Sequence, residues 1–312
     1  MVQRELRKLS LMAEIAVDYY EHGLNQDKIA EKLCLSRTRI SKLLKEAFER
    51  GIIQVTVNFT YDRLYALEER VQSRFSLKRV LVLNNRKYDP FTIQRNVGNL
   101  AASYIMERLK ADMIIGTAWG TTLRDTIKCL RPSAIPVYIF QLVGAVPQKT
   151  SNCIPQEIAA SLAIILGGEA EYLNIPLIGA KQDNHQINLL KKAAFADMAL
   201  TSIGDIAHIK DKKFWTEYMN TAMYEELCGK GAVGAMFARF FDDQGREIDC
   251  TWNKRCVSIT MKDLQNIPDV VVIAASISKA RAIFSAMKGN LIDTLIIDSE
   301  TAEEILRINA VS

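Results

Sequence analysis

Over residues 11–21, Leu11, Ile15 and Tyr19 recur at helical spacing with Met12 and Ala16 beside them, and the row stops at His22-Gly23. A second amphipathic stretch runs from Gln26 to Leu33 and is interrupted at Cys34-Leu35-Ser36. A third continues from Arg37 to Arg50 and closes at Gly51, with Ile40, Leu43 and Leu44 facing inward. Ser36 is the right residue type to cap it, because its hydroxyl can accept from an otherwise orphan backbone N–H. Next, Ile52–Phe59 alternates and is rich in β-branched residues, which predicts a strand, a wing packed on the helices. Tyr61–Phe75 returns to helical spacing with Leu64, Leu67, Val71 and Phe75 on one stripe. That stripe serves either as a contact between copies of the chain or as packing against its own C-terminal domain.

From residue 79 short apolar runs alternate with helical stretches. The predicted strands are Val80–Leu83, Met113–Gly116, Val137–Val143, Ala170–Asn174, Ala199–Ile203, Val257–Ile259, Val270–Ala274 and Thr294–Ile297. The predicted helices include Ile93–Leu109, Leu123–Leu130, Pro155–Leu166, Ile187–Phe195, Lys279–Met287 and Thr301–Leu306. Fully apolar strands each followed by a helix mean a parallel sheet covered on both faces. The organisation expected is a reader domain over 1–59, a linker or oligomerisation helix over 60–78, and an α/β domain over 79–312.

Counted from Gln26, the small residue stands fifth (Ala30) and the apolar pair fifteenth and eighteenth (Ile40, Leu43), the spacing of a helix-turn-helix. The ninth position, commonly glycine, is Cys34, which meets a need for a compact residue. Charge sharpens this reading. The whole chain of 312 residues carries 40 Lys+Arg against 36 Asp+Glu, yet residues 36–45 hold Arg37, Arg39, Lys42 and Lys45 and no acid. A positive field focused on one helix suits docking in a major groove. Arg37 and Thr38 are placed to reach base edges, while Lys42 and Lys45 suit phosphates. Gln26, Ser36, Arg39 and Ser41 complete the candidate DNA-binding set.

Composition narrows the remaining classes. Apolar residues make up 49% and charged residues 24%, so the chain can bury sizeable cores. The N-terminus lacks the apolar core of a signal peptide and no long charge-free span occurs, so a cytoplasmic protein is expected. Six cysteines (Cys34, Cys129, Cys153, Cys228, Cys250, Cys256) form no CxxC pair, and three histidines (His22, His185, His208) share no spacing. Reduced thiols, and neither a metal nor a cofactor, are expected.

In a parallel sheet, ligands bind beyond the carboxyl ends of the strands. Here those ends run into Thr117-Ala118-Trp119-Gly120-Thr121-Thr122, into Gly144, into Gly204-Asp205, and through Ala274-Ala275-Ser276 to Lys279. Lys230–Gly234 precedes what reads as a helix ending at Phe240-Phe241. Glycines let the backbone approach a ligand, while open N–H groups and threonine hydroxyls favour an anionic or hydroxyl-rich one. The candidate effector set is Thr117, Trp119, Gly120, Thr121, Thr122, Gly144, Gly204, Asp205, Gly234 and Lys279. An isomerase on this fold would need a positioned acid and base, and the acids Asp205, Asp242 and Asp243 have no histidine in an interpretable arrangement with them. GxxxxGK[ST] and GxSxG are absent from the sequence. Binding without turnover is the expectation, and a sugar-phosphate isomerase with an accessory helical domain is the alternative.

The order of these elements, with GTAWGTTL (116–123), SIGD (202–205), KGAVGAMFARFFDDQG (230–245) and the segment 274–306, resembles the SorC/DeoR-type sugar-responsive bacterial transcriptional regulators over nearly the whole chain. The resemblance implies a winged-type helix-turn-helix domain and a doubly wound, largely parallel α/β domain related to phosphosugar isomerases but catalytically idle. It also implies operator DNA and a sugar or sugar phosphate as partners, with dimers pairing into tetramers. By carry-over, Thr117, Thr121 and Thr122 would face the phosphate or hydroxyl end of the ligand, with Lys279 nearby. The chain departs from the family pattern at Gly144-Ala145, Ala235 and Ala275-Ser276.

Overall fold

The structure, a computed structural model, describes residues 2–53, 62–86, 88–147, 153–179, 188, 190–192, 195–209 and 213–311. The chain divides into two compact units, residues 1–60 and 61–312.

The first unit packs three helices, α1 (Val2–Tyr20), α2 (Gln26–Lys32) and α3 (Arg37–Glu49), around Met12, Ile15, Ala16, Ile29, Ala30, Ile40, Leu43, Leu44 and Ala47. Helix α1 begins nine residues before the stretch recognised by periodicity. Asn25 caps α2 by accepting from the Lys28 amide, and Ser36 caps α3 by accepting from the Arg39 amide at 3.3 Å. One buried acid ties the unit together: Asp18 on α1 accepts from the Lys32 ammonium of α2 at 2.7 Å, which holds its carboxyl below the usual range. The predicted wing falls largely on residues 54–61, outside the described residues.

Compactness alone does not describe the demand at the turn. Cys34 has φ = 52°, in the left-handed region that glycine enters at least cost. Relief of about 1–2 kcal/mol of strain, offset by roughly 0.5–1 kcal/mol of extra chain entropy, leaves a net gain for glycine. Cys34→Gly is therefore expected to stabilise the first unit by about 0.5–1 kcal/mol, read as a higher urea midpoint at unchanged m-value.

The second unit opens with α4 (Tyr65–Phe75), whose stripe Leu67 and Val71 is buried in this unit's own core, with Phe75 edge-on to Phe284 at 5.7 Å. Its sheet holds β1 (Arg79–Leu83), β2 (Met113–Thr117), β3 (Val137–Gln141), β4 (Glu169–Glu171), β5 (Met198–Thr201), β9 (Val270–Ile273) and β10 (Thr294–Asp298). All neighbours are parallel, in the order β1-β10-β9-β5-β2-β3-β4. Successive side chains point to opposite faces. Val80, Val82, Val270, Val272, Leu295 and Ile297 therefore enter one core, and Leu81, Leu83, Val271, Ile273 and Ile296 the other. Helices α5 (Pro90–Arg108), α6 (Thr121–Cys129) and α7 (Pro155–Leu166) cover the second face. The first is covered by α4 and by the helices late in the chain, α12 (Ala280–Lys288) and α13 (Ser299–Val311). Shorter helices, α8 (Lys213–Tyr218), α9 (Thr221–Gly229), α10 (Thr251–Arg255) and α11 (Met261–Leu264), lie between β5 and β9. The predicted helix Ile187–Phe195 lies largely outside the described residues.

Two sequence expectations are corrected. The segment after Gly234 is not a helix but an antiparallel hairpin, β7 (Gly234–Met236) and β8 (Arg239–Phe241), extended by β6 (Gly204–Asp205). Phe237 and Ala238 form its two-residue turn with φ of 49° and 61°, the double left-handed geometry that suits tight hairpins. Every residue of 232–241 is buried, so no polar face reveals the period. Val257–Ile259 does not join a ladder either. The Arg239 guanidinium takes the carbonyls of Cys256, Ser258 and Ile259 at 2.9–3.1 Å, and the segment keeps only isolated bridges at Cys256 and Ser258. A strand whose carbonyls are held by a side chain cannot offer them to a neighbour.

Candidate functional site

The first unit presents one cationic face. Burial of Ile40, Leu43, Leu44 and Ala47 turns Arg37, Thr38, Ser41, Lys42 and Lys45 to the exterior, with Ser36 and Arg39 also exposed and Gln26 half-buried at the start of α2. Arg37 lies 3.6 Å from Asp27 and Lys45 3.9 Å from Glu49. Exposed pairs of this kind are worth about 0–1 kcal/mol, little enough to be exchanged for phosphates. No other protein group competes for Arg39 or Lys42 among the described residues.

In the second unit, the chain walks outward from β2 to β3 and β4, then returns to β5 on the other side of β2 and proceeds through β9 and β10. The direction reverses between β2 and β5, and their diverging ends leave a crevice there. A cavity of about 340 Å³ occupies it. Ala118, Trp119, Gly120 and Thr121 line it from the β2 end, Ser202, Ile203, Gly204 and Asp205 from the β5 end, and Lys279 from the turn after β9. Ile209, Phe214 and Trp215, the hairpin residues Ala235, Phe237 and Ala238, and Cys153 close the wall.

The cavity combines a positive pole with an aromatic wall. Gly120 precedes α6 without a side-chain cap, and Gly120 and Thr121 line the space, so the positive end of the helix dipole lies at it. The Lys279 ammonium stands 3.5 Å from the Ser202 hydroxyl, inside the same wall. In the same lining, Trp119 and Phe214 meet edge to face at 5.4 Å, and Phe214 and Trp215 at 5.0 Å. Asp205 supplies a carboxylate, steadied by the Ala207 amide at 2.7 Å and facing His208 at 3.8 Å. Burial pushes the Cys153 thiol up, and its sulfur lies 3.4 Å from the Gly120 carbonyl; a neutral thiol does not act as a nucleophile. Among the described residues, no cluster of three or more His, Cys, Asp or Glu could hold a metal ion.

Of the ten residues singled out from the sequence, Trp119, Gly120, Thr121, Gly204, Asp205 and Lys279 meet at this cavity, and four do not line it. Thr117 and Thr122 are fully buried. Adjacent helical positions diverge by roughly 100°, so Thr121 and Thr122 cannot share an outlook. Gly144 and Gly234 serve close packing: a Cβ would lie 2.7 Å from the Leu177 Cα and from the Ala282 Cβ respectively. Ser202, Phe214, Trp215 and Phe237 were missed. Ser202 directly precedes the Ile203-Gly204 signal, while the aromatic residues carry no strand-end signature.

Gly120 belongs to both the fold and the cavity, since a Cβ there would stand 2.5 Å from the Ser202 Cβ. Gly120→Ala is expected to push the two strand ends apart and weaken ligand binding at least tenfold, with partial recovery in Gly120→Ala/Ser202→Gly. Isothermal titration of the two variants checks this coupling.

Geometry thus defines the class: a small-molecule-binding parallel α/β unit with a site at its switch point, preceded by a compact three-helix unit with a cationic face. The family described as "Putative sugar-binding domain" matches residues 60–307, and the chain belongs to that family. Transcriptional regulator LsrR of Enterobacter sp. (strain 638) is 29% identical, covering 97% of this chain and 94% of its own length. The deoxyribonucleoside regulator of Bacillus subtilis (strain 168) is 27% identical, covering 98% and 99%. Among solved structures, the full-length sorbitol operon regulator SorC of Klebsiella pneumoniae superposes with a TM-score of 0.74 at 26% identity, over 95% of this chain and 98% of that one. The chain is a transcriptional regulator and not an enzyme, and the isomerase alternative is set aside by these relatives. No helix among the described residues is long and apolar enough to cross a membrane.

Proposed function

We propose that the chain binds operator DNA through a winged-type helix-turn-helix in its first unit and that a sugar or sugar phosphate in the switch-point cavity sets its operator affinity. Helix α3 enters the major groove, with Arg37 and Thr38 at base edges and Lys42 and Lys45 on phosphates. The observation that carries the ligand half is the convergence of Lys279 and the uncapped α6 N-terminus on a cavity of about 340 Å³. An anion docks at that pole, and the hydrocarbon face of a sugar ring lies against Trp119, Phe214 and Trp215. The chain works in the cytoplasm as a homodimer or homotetramer, and its second unit keeps an isomerase-like frame that binds its ligand without turnover.

A thermal-shift screen of sugars, polyols and their phosphates tests the ligand half, because selective binding to the native state raises the melting temperature by mass action. A phosphorylated ligand is expected to give the largest shift, and Lys279→Ala to reduce that shift while sparing DNA affinity. An unchanged titration in Lys279→Ala would remove this residue from the site. For the reader, Arg37→Ala should relax base preference, whereas Lys45→Ala should weaken all duplexes alike.

A further inference from the structure

A second cavity, of about 550 Å³, opens at the amino-terminal edge of the parallel sheet. Met113 and Met198, the first residues of β2 and β5, line it, so the two strands that flank the switch point carry a cavity at each end. The two cavities share no lining residue. Ligands of parallel sheets collect at the carboxyl edge, so the fold alone does not account for a pocket here. Its volume falls within the roughly 300–1,000 Å³ of small-molecule sites.

The floor of this cavity is fixed by buried hydrogen bonds. Tyr104, 5% exposed near the end of α5, donates its hydroxyl to Asp269 at 2.8 Å, and the Thr294 hydroxyl donates to the other oxygen of that carboxylate at 2.7 Å. Burial pushes the phenol up to about 12, so it stays neutral. The Arg108 guanidinium lies over the Tyr104 ring, 5.1 Å from its centroid. The charges around the floor divide into committed and open ones. Lys78 pairs with Asp293 at 2.9 Å and donates to the Pro268 carbonyl. One oxygen of Asp197 accepts from the Ile114 amide at 2.8 Å. Arg108, Lys110 and Asp112 have no ion-pair partner among the described residues, and all three line the cavity. Cations at the end of α5 also offset the helix dipole, but that role does not require both of them to border one pocket.

We propose that the amino-edge cavity is a second binding site, for a small organic anion that carries hydroxyl groups. Arg108 and Lys110 hold its charged group, and Met113 and Met198 meet its hydrocarbon. Asp112 and the open oxygen of Asp197 accept from its hydroxyls. These carboxylates repel a bare anion, so they select one that has a donor to offer them. The site stands independently of the operator and effector roles proposed above.

Isothermal titration of the full chain tests it with two pairs of probes, each a hydroxylated anion and its bare counterpart: AMP with inorganic phosphate, and malate with succinate. At least one hydroxylated anion should bind, at least fivefold more tightly than its counterpart. Arg108→Gln/Lys110→Gln should weaken that binding at least tenfold, and Asp112→Asn should narrow the gap within the pair. All three side chains are exposed, so these variants should fold, which circular dichroism confirms. Lys279→Ala should leave the titration as it is, which separates this site from the switch point. Binding of neither hydroxylated anion would overturn the proposal. So would equal affinity for the bare counterpart, an affinity indifferent to the double variant, a gap unchanged by Asp112→Asn, or a loss of binding in Lys279→Ala.

Discussion

Replacing Arg239 with methionine is expected to cost the second unit about 3–5 kcal/mol, the loss that follows when one partner of a buried ion pair is removed. The guanidinium is nearly buried and sits at the centre of the hairpin region. It pairs with Glu247 at 2.6 Å and donates to the carbonyls of Asn253, Cys256, Ser258 and Ile259. Methionine fills much of the volume but satisfies none of these acceptors, each of which then bears its own desolvation cost. Against a typical domain stability of about 5–15 kcal/mol, this is enough to populate the unfolded state. Urea denaturation followed by tryptophan fluorescence reads it directly, because Trp252 packs in the same cluster and donates to the Ala238 carbonyl at 2.7 Å. Ala238 belongs to the cavity wall, so a milder variant, Arg239→Lys, should keep the fold and lose ligand affinity.

Neutralising Arg39, Lys42 and Lys45 together is expected to cut affinity for duplex DNA by about two to four orders of magnitude at moderate salt. Every phosphate left without its cation should flatten the plot of log affinity against log salt by about 0.9, so the slope of the triple variant should be shallower by at least the two steps of Lys42 and Lys45. Fold stability should barely change, because all three side chains are exposed. Fluorescence anisotropy across salt concentrations separates this from unfolding, which would abolish binding at every salt.

Most of the first unit was legible because its determinants are local. Ala30, Ile40 and Leu43 had to be buried for two short helices to cross, and Ser36 had to cap the second. Cys34 was misjudged, since the sequence reveals residue size but not the sign of φ. In the second unit, apolar runs identified most of the parallel strands to within a residue or two; the strand expected at Ala170–Asn174 lies at Glu169–Glu171, and Val257–Ile259 joins no ladder. There Arg239, eighteen residues upstream of Val257, satisfies carbonyls that a ladder would have used. The hairpin at Gly234–Phe241 was hidden for a related reason: where both faces are buried, periodicity carries no information.

The cavity was half legible. Strand ends at small residues marked Trp119, Gly120, Thr121, Gly204, Asp205 and Lys279, because a parallel sheet opens at its carboxyl edge. Thr117 and Thr122 failed for geometric reasons. Thr117 shares its pleat with the buried Ile115, and Thr122 lies a third of a turn around α6 from Thr121. Phe214 and Trp215 reach the wall from a short helix far from any strand end, a placement that only tertiary packing decides.

The most direct test is the affinity of the full chain for a duplex selected from a random pool, with and without the sugar phosphate that gives the largest thermal shift. A coupling of roughly 1–3 kcal/mol, the usual size for linked sites, predicts a change in Kd of about 5–150-fold, abolished in Lys279→Ala. An identical Kd with the ligand demonstrably bound would contradict the account.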